Sequence, residues 1–256
     1  MINLLHDTEI EYVKCFSQCI ETENLLHFQD NNLPDMYAHN FVLLKNIMST
    51  KEISTIISTK IQQSIDEKKD FLQFEANYPI NSKALENLSV FPDITRFIFM
   101  SISPNKYLSL KQKFDCTIEE ALSQRVYDDG IEVDILANSH AMGENFAKKR
   151  IARKVQAYRS KNNLKFYVCY HKNTPVGNCE FFISNGIIKI EDFDILEEHQ
   201  RKGFGTTVFR YLLQLSERQG VETAYVVTDS EDTAKDMYKK CGFTIVGEKT
   251  TLFFKL

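Results

Sequence analysis

Apolar residues recur along the chain with two different spacings, which predict helices in some stretches and strands in others. Ile53, Ile57 and Ile61 fall on one face of a helix, and the preceding Ser49-Thr50-Lys51-Glu52 has the spacing of a capping box. Residues 164–171 alternate instead, as in a strand, and Asn185-Gly186 predicts a type I′ hairpin turn. The same criteria predict helices over residues 7–22, 145–160 and 232–240 and after Asn81, and strands over residues 41–44, 71–74, 94–102, 175–183, 187–196, 221–228, 243–246 and 251–254.

Glycine is distributed unevenly along the chain. All nine glycines lie at or beyond Gly130, so the two halves differ in construction. We expect a boundary between Pro104 and Thr117, because Thr117-Ile118-Glu119-Glu120 has the spacing of a second capping box that would start a helix. The predicted domains are residues 1–111, a small α/β domain, and residues 112–256.

The composition is that of a globular protein, with 43% hydrophobic and 26% charged residues. The net charge of −4 argues against a nucleic-acid partner. The six cysteines form no C-x-x-C pair and no His cluster at zinc spacing, so we expect free thiols and no metal. No stretch reaches the ~18 apolar residues of a membrane span, and the N-terminus lacks a secretory signal. We therefore expect a cytoplasmic protein without a membrane partner, and the sequence leaves a homodimer open.

The most informative stretch is a basic loop, His199-Gln200-Arg201-Lys202-Gly203-Phe204-Gly205-Thr206. It follows the predicted strand at 187–196 and precedes a helical pattern that ends before Gly220. Such a loop can bind phosphate, since free backbone N–H groups and the positive end of the helix dipole point at one spot. The two glycines permit close approach of the backbone to phosphate oxygens, and the arginine and lysine add positive charge.

The spacing of this loop separates it from other nucleotide-binding loops. The chain has no Walker sequence, and Val208 stands where a dinucleotide fingerprint has glycine or alanine. The remaining pattern, Gln/Arg-x-x-Gly-x-Gly/Ala, resembles that of the GNAT superfamily of acyl-CoA-dependent N-acyltransferases. A second block, which resembles the family's later strand and helix with its tyrosine, consists of Val226-Val227-Thr228-Asp229, Ala234, Met237-Tyr238 and Gly242-Phe243. The resemblance covers roughly the C-terminal half.

This resemblance implies a fold, a reaction and a set of residues. The fold class would be α/β (α+β), a mixed, mostly antiparallel sheet flanked by helices, preceded here by the smaller α/β domain. The reaction would transfer an acetyl group from the co-substrate acetyl-CoA directly to a primary amine of a small molecule or peptide, without a metal. Tyr238 would protonate the leaving thiolate, and the loop would hold the pyrophosphate. The backbone of the predicted strand at 187–196, called the motif strand below, would pair with the pantetheine arm. Glu231 or Asp232 stands where the family often has asparagine. The implied cofactor-binding residues are Phe193, Asp194, Ile195, Arg201, Lys202, Gly203, Phe204, Gly205, Thr206 and Glu231.

The general base is less defined, because Lys189 occupies the position of the glutamate that histone-type members use. Glu191, Asp192 and Asp194 lie on the motif strand, where a carboxylate could accept the amine's proton through water. We take Glu191 as the candidate base. The basic run over residues 148–154 is interpreted as a solvated helix face with i,i+4 pairs, with a grip on the adenosine 3′-phosphate as the alternative.

Two other functions remain open. A catalytically silent, CoA-binding regulatory or scaffold protein would account for the departures at Lys189 and Glu231. A tRNA-directed acyltransferase would need a strongly basic face, which the net charge opposes.

The N-terminal half could be a degenerate copy of the same fold that selects the substrate. Because it has no glycine for a second loop, we expect one CoA per chain. Tyr37 and His39 are its candidate acceptor contacts, although a lone histidine is more often structural.

Overall fold

The structure, a computed structural model, describes residues 1–256. The helices are α1 Ile2–Val13, α2 Thr50–Asp66, α3 Gln124–Met142, α4 Glu144–Ser160, α5 Phe204–Arg218 and α6 Ala234–Lys240. The strands are β1 Gln18–Glu21, β2 Leu25–Gln29, β3 Val42–Leu44, β4 Phe71–Ala76, β5 Asp93–Ile102, β6 Cys116–Glu120, β7 Leu164–His171, β8 Thr174–Ser184, β9 Ile187–Ile195, β10 Thr223–Asp229 and β11 Thr244–Lys255. Short 3-10 turns cover Tyr37–His39, Ser82–Ala84, Pro104–Ser109 and Glu197–His199.

The chain divides into two compact units, each built from three segments. Unit 1 consists of Met1–Phe16, Met100–Val227 and Thr233–Ile245. Unit 2 consists of Ser17–Phe99, Thr228–Asp232 and Val246–Leu256. A single division at residue 111 does not separate these units. Met1–Phe16 belongs to unit 1, most of which follows residue 111, and Val246–Leu256 belongs to unit 2, most of which precedes it.

In unit 1, the strand order is β10-β9-β8-β7-β6, with antiparallel pairing from β6 to β9. Strands β9 and β10 are parallel, and α5 forms the crossover that parallel neighbours require. Helix α3 packs closely on β7, because a Cβ at Gly130 would lie 2.4 Å from the Phe166 ring. Unit 1 is therefore a mixed, mostly antiparallel sheet flanked by helices, which confirms the predicted fold class.

Unit 2 has a similar order of elements. Strands β1, β2 and β3 are antiparallel, and β3 and β4 are parallel and joined by α2. The C-terminal part of β11 pairs antiparallel with β4. Its core is formed by apolar residues of α2 and the strands, among them Ile53, Ile57, Ile61, Leu72, Phe74, Leu252 and Phe254. Both units thus contain antiparallel strands followed by a strand–helix–parallel strand crossover.

Several local signals are confirmed. Ser49 and Glu52 form both halves of the predicted capping box at α2. Asn185 and Gly186 have φ angles of +51° and +72° at the β8–β9 turn, as a type I′ hairpin requires. Asn81 accepts a hydrogen bond from the N–H of Lys83, at the start of the predicted short helical turn.

Four predicted elements are wrong in their extent or type. The helix expected over residues 7–22 is α1, which ends at Val13, because residues 18–21 pair with β2. Thr117–Glu120 is no capping box but part of β6, which pairs with β7, and Ser123 caps the following helix instead. The strands expected at 243–246 and 251–254 are one continuous strand, β11.

Candidate active site

Strand β9 is irregular at its centre. Its pairing with β8 passes from Glu180–Glu191 to Asn178–Asp194, so β9 holds one residue more than β8 over this stretch. Asp192 takes up the extra residue with a φ of +44°. The neighbouring backbones approach closely here, since a Cβ at Gly177 would lie 2.5 Å from the Asp194 carbonyl oxygen. The bulge redirects the side chains of residues 192–194.

Beyond the bulge, β9 has an open edge. Strand β10 pairs with β9 only over Ile187–Lys189, so residues 190–195 have no partner strand on that side. An extended chain can pair with such an edge as an added strand. Phe193, Asp194 and Ile195 lie in this stretch, as a slot for the pantetheine arm requires. The Gln200 side chain donates to the Ile195 carbonyl at 3.0 Å, which ties the following loop to the end of the strand.

The loop between β9 and α5 presents a set of unpaired backbone donors. Arg201 and Gly203 have φ angles of +58° and +89°, and Gly203 is the N-cap residue of α5 without a side-chain cap. The N–H of Thr207 is the first that bonds within the helix, to the Gly203 carbonyl at 3.1 Å. None of the N–H groups of residues 201–206 donates to another protein group. A concave run of N–H groups at a helix N-terminus is an anion-binding arrangement.

Tyr238 lies in an aromatic cluster with residues of β9 and α5. The Phe193 ring stacks on Phe209 with centroids 4.4 Å apart, and Tyr238 meets Phe209 edge-on at 5.7 Å. A Cβ at Gly205 would lie 3.3 Å from Met237 Sδ and 3.4 Å from the Phe193 ring. The open edge, the loop and α6 therefore converge in unit 1.

Glu191, the candidate base, is engaged by a buried lysine. Lys189 Nζ lies 2.9 Å from Glu191 Oε2 and also pairs with Glu9 of α1. Burial raises the pKa of the Glu191 carboxyl, while Lys189 acts in the opposite direction. Lys189 stabilises the ionised carboxylate, but burial outweighs it and the pKa of Glu191 stays above its ordinary value.

The interpretation of the basic run is correct for its outer part and wrong for two residues. Lys148 forms the expected i,i+4 pair with Glu144. Arg150 and Lys154 are buried, and both contact Asp192, at 2.7 and 2.6 Å. Burial alone would raise the pKa of Asp192, but these two cations hold it well below its usual range.

Asp194 has a different environment. Its Oδ2 accepts a hydrogen bond of 3.1 Å from Asn138 of α3. Burial, and then the charge of Asp192, raise the pKa of Asp194 to about 6. One turn before Asn138, the buried Asp134 contacts Arg150 at 2.7 Å. The sequence analysis missed Asp134, Asn138 and the inward role of Arg150; the i,i+4 spacing of the first two was the available signal.

Glu231 lies in the turn between β10 and α6, which belongs to unit 2. It is exposed, and its N–H donates to Asp229 Oδ1 at 2.9 Å. Its role toward the cofactor stays a prediction.

The corresponding crossover of unit 2 begins with a capping box instead of a glycine loop. The Ser49 hydroxyl accepts from the Glu52 N–H at the start of α2, and the Glu52 carboxylate accepts from the Ser49 N–H at 2.9 Å. The Glu52 carboxylate also places negative charge where a phosphate would have to bind.

Unit 2 contains a cavity of about 300 Å³, whose polar lining includes His27, Asp30, Asp35, Lys68 and Lys69. His39 is buried, with Nδ1 3.2 Å from Asp30 Oδ2, which favours a structural role. Tyr37 is half exposed and packs edge-on against Phe253 at 5.7 Å.

No group of three or more His, Cys, Asp or Glu side chains is arranged to hold a metal ion. None of the helices combines the length and the apolar character needed to cross a bilayer.

The structure thus brings an anion-binding loop, an open strand edge and a tyrosine together in unit 1. Residues 134–243 match the model of the Acetyltransferase (GNAT) family. This stretch contains β9, the loop, α5, β10 and α6. Residues 134–243 are therefore similar to a GNAT domain.

Comparisons along the whole chain agree. The uncharacterised N-acetyltransferase CgeE of Bacillus subtilis (strain 168) is 24% identical over 255 residues, covering 96% of this chain and 95% of that protein. A functionally unknown conserved protein from Staphylococcus epidermidis ATCC 12228 has a TM-score of 0.79 at 23% identity, over 93% of this chain and 94% of that one. A GCN5-related N-acetyltransferase from Kribbella flavida has a TM-score of 0.73 at 13% identity, over 98% and 94%.

A tandem GNAT protein from the clavulanic acid biosynthesis pathway has a TM-score of 0.57 at 9% identity, over 84% of this chain and 74% of that one. At these identities the structural likenesses establish the fold. The likeness to a tandem protein agrees with the repeated crossover in units 1 and 2.

Proposed function

We propose that the protein transfers an acetyl group from acetyl-CoA directly to a primary amine of a small molecule or peptide. The observation that carries the proposal is the row of unpaired N–H groups at residues 201–206, directly after an open strand edge. In this reaction the loop holds the pyrophosphate, and the backbone of residues 193–195 pairs with the pantetheine amides. All six cysteines are free, which is in keeping with the reducing cytoplasm as the place of the reaction.

The direct test is acetyl-CoA turnover across a panel of amines, measured as released free thiol and confirmed by the mass of the acetylated product. A silent CoA-binding protein would be stabilised by CoA but would release thiol no faster than solvent hydrolysis. Thiol release that needs an amine supports the proposal, and its absence across aliphatic, aromatic and peptide amines contradicts it.

Tyr238 is the proposed acid for the leaving thiolate. The Tyr238→Phe variant keeps the ring that packs on Phe209 and Phe243 and loses only the hydroxyl. We expect kcat to fall by ~10-fold or more with little change in CoA affinity, because the proton is needed in the transition state. Single-turnover kinetics and a CoA titration measure the two quantities.

The matched control is Tyr167→Phe, which removes a hydroxyl that donates to Glu120 at 3.1 Å. Its effect on turnover should be small. Equal turnover of Tyr238→Phe and wild type, with chemistry rate-limiting, would assign Tyr238 to packing alone.

We also expect one CoA to bind per chain. The N-terminus of α2 is closed by its own Glu52 carboxylate, whereas that of α5 is free. Isothermal calorimetry with the full chain should give a stoichiometry near one. A second equivalent that survives Gly203→Val would show that unit 2 binds the cofactor as well.

A further inference from the structure

Asp194 stands apart from the other carboxylates around the β9 bulge. It makes no ion pair, and its one hydrogen bond comes from Asn138, a neutral donor. Asp134, Glu180 and Asp192 each lie within 2.7 Å of a cation, in the pairs Asp134–Arg150, Glu180–Lys154, Asp192–Arg150 and Asp192–Lys154. Glu191 lies 2.9 Å from Lys189. Asp194 is therefore the carboxylate of this group that has no cationic partner within the protein.

The charge balance of the cluster points the same way. Four carboxyl groups, those of Asp134, Glu180, Asp192 and Asp194, face only two cations, Arg150 and Lys154. Burial raises the pKa of Asp134 to about 7. The buried Asp134 Oδ1 has no hydrogen-bond partner. Buried carboxylates without compensation are costly, so a further cation beside them is favoured.

The position of Asp194 relative to the open edge is set by β9 itself. The Phe193 ring faces α5 and the Tyr238 cluster, whereas the next side chain, Asp194, faces α3 through Asn138. A thioester at the open edge of residues 193–195 would therefore lie between the two groups. An amine could approach from the α3 side while the thiolate leaves toward Tyr238.

Building on the proposed function, we infer that the Asp194 carboxylate binds the ammonium group of the acceptor and takes its proton. The acceptor class is then an aliphatic primary amine, which is cationic at neutral pH. An aromatic amine is already neutral there and gains little from such a carboxylate.

The protons balance in the following way. Asp194 takes one proton from R–NH3⁺, and the lone pair of the resulting amine forms the C–N bond with the thioester carbonyl carbon. The C–S bond then breaks, the thiolate takes the Tyr238 proton, and Tyr238 regains a proton from the nitrogen of the new amide. Asp194 releases its proton to solvent, so each acetylated ammonium yields an amide, CoA thiol and one proton.

The surroundings of Asp194 suit this task better than those of Glu191. Asp194 faces Asp134 and Asn138 of α3, Arg150 and Lys154 of α4, Cys179 of β8 and Asp192 of β9. Within this set, burial and Asp192 raise the pKa of Asp194 to about 6, so near neutral pH it is ionised and a stronger base than an ordinary carboxylate. Glu191, in contrast, is held by Lys189 at 2.9 Å.

The test measures kcat/KM from about pH 5 to 9 for wild type, Asp194→Asn and Glu191→Gln, with the best aliphatic and the best aromatic amine of the panel. We expect Asp194→Asn to lower kcat/KM for the aliphatic amine by ~10²-fold or more at pH 7. The loss should shrink toward pH 9, where more of the amine is already neutral. The wild-type rise through about pH 6 should vanish in Asp194→Asn and persist in Glu191→Gln. Equal CoA-dependent thermal stabilisation shows that the variants are folded.

The outcomes separate cleanly. The inference is overturned if Asp194→Asn keeps both the rise of kcat/KM through about pH 6 and the wild-type kcat/KM for the aliphatic amine. It is also overturned if Glu191→Gln removes that rise. A wild type that prefers aromatic amines overturns the acceptor class. If wild type transfers to no amine, it is the proposed function that fails, and the inference with it.

Discussion

Replacing Gly203 by valine should abolish the thermal stabilisation that CoA confers while leaving the apo fold largely intact. Gly203 has a φ of +89°, which a β-branched residue adopts only with strain. A Cβ there would meet no atom within 4 Å, so the strain falls on the backbone and turns the N–H groups of the loop away from their common focus. At a CoA concentration of 100 times Kd, the lost stabilisation would be about 2.7 kcal/mol, or roughly 5–10 °C in Tm for a chain of this size.

Gly220→Val is the matched control for this variant. Gly220 follows the other end of α5, has a φ of +71° and is equally open around its Cα. Both variants carry a comparable backbone strain, and only the first alters the anion-binding loop. Differential scanning fluorimetry with and without CoA compares them. If CoA stabilises Gly203→Val as much as wild type, the loop is not the pyrophosphate site.

Replacing Lys154 by methionine should lower the free energy of unfolding by about 3–5 kcal/mol, because it leaves buried carboxylates without their cation. Lys154 Nζ lies 2.7 Å from Glu180 and 2.6 Å from Asp192, and its side chain is 3% exposed. Methionine fills a similar volume, so cavity formation contributes little. Urea unfolding followed by circular dichroism measures the change.

Lys148→Met, on the same helix, separates burial from charge. Lys148 pairs with Glu144 at 2.5 Å, but both side chains are more than half exposed. Its loss should change stability by no more than about 0.5 kcal/mol. Similar losses for both variants would mean that the buried network around Lys154 does not hold unit 1 together.

Local signals in the sequence carried much of the fold. The Asn185-Gly186 hairpin and the Ser49–Glu52 capping box depend on residues a few positions apart, and both are present as predicted. Elements with distant partners were harder to place. Residues 18–21 look helical by periodicity, yet they form β1 because β2 is available to pair with them. Thr117–Glu120 likewise has a capping spacing that pairing with β7 overrides.

The same distinction applies to the site. The glycine loop is contiguous, so its sequence specifies both the turn and the free N–H groups at residues 201–206. The environment of each carboxylate is not contiguous. Arg150 lies 42 residues before the Asp192 that it contacts, and nothing in a helical basic run distinguishes an inward arginine from a solvated one. Separating Asp194 from Glu191 as a base required the three-dimensional arrangement.

Helix α1 gives unit 1 an unusual order of assembly during synthesis. Glu9 and Tyr12 leave the ribosome well before their partners Lys189 and Glu180, which follow 180 and 168 residues later. At ~5–20 residues per second, α1 waits roughly 10–35 s for the strands that bury it. Expression of residues 112–256 alone would remove it permanently and leave Lys189 and Glu180 without these partners. A gene for residues 112–256 should therefore also encode the first 16 residues, for example in a circularly permuted order.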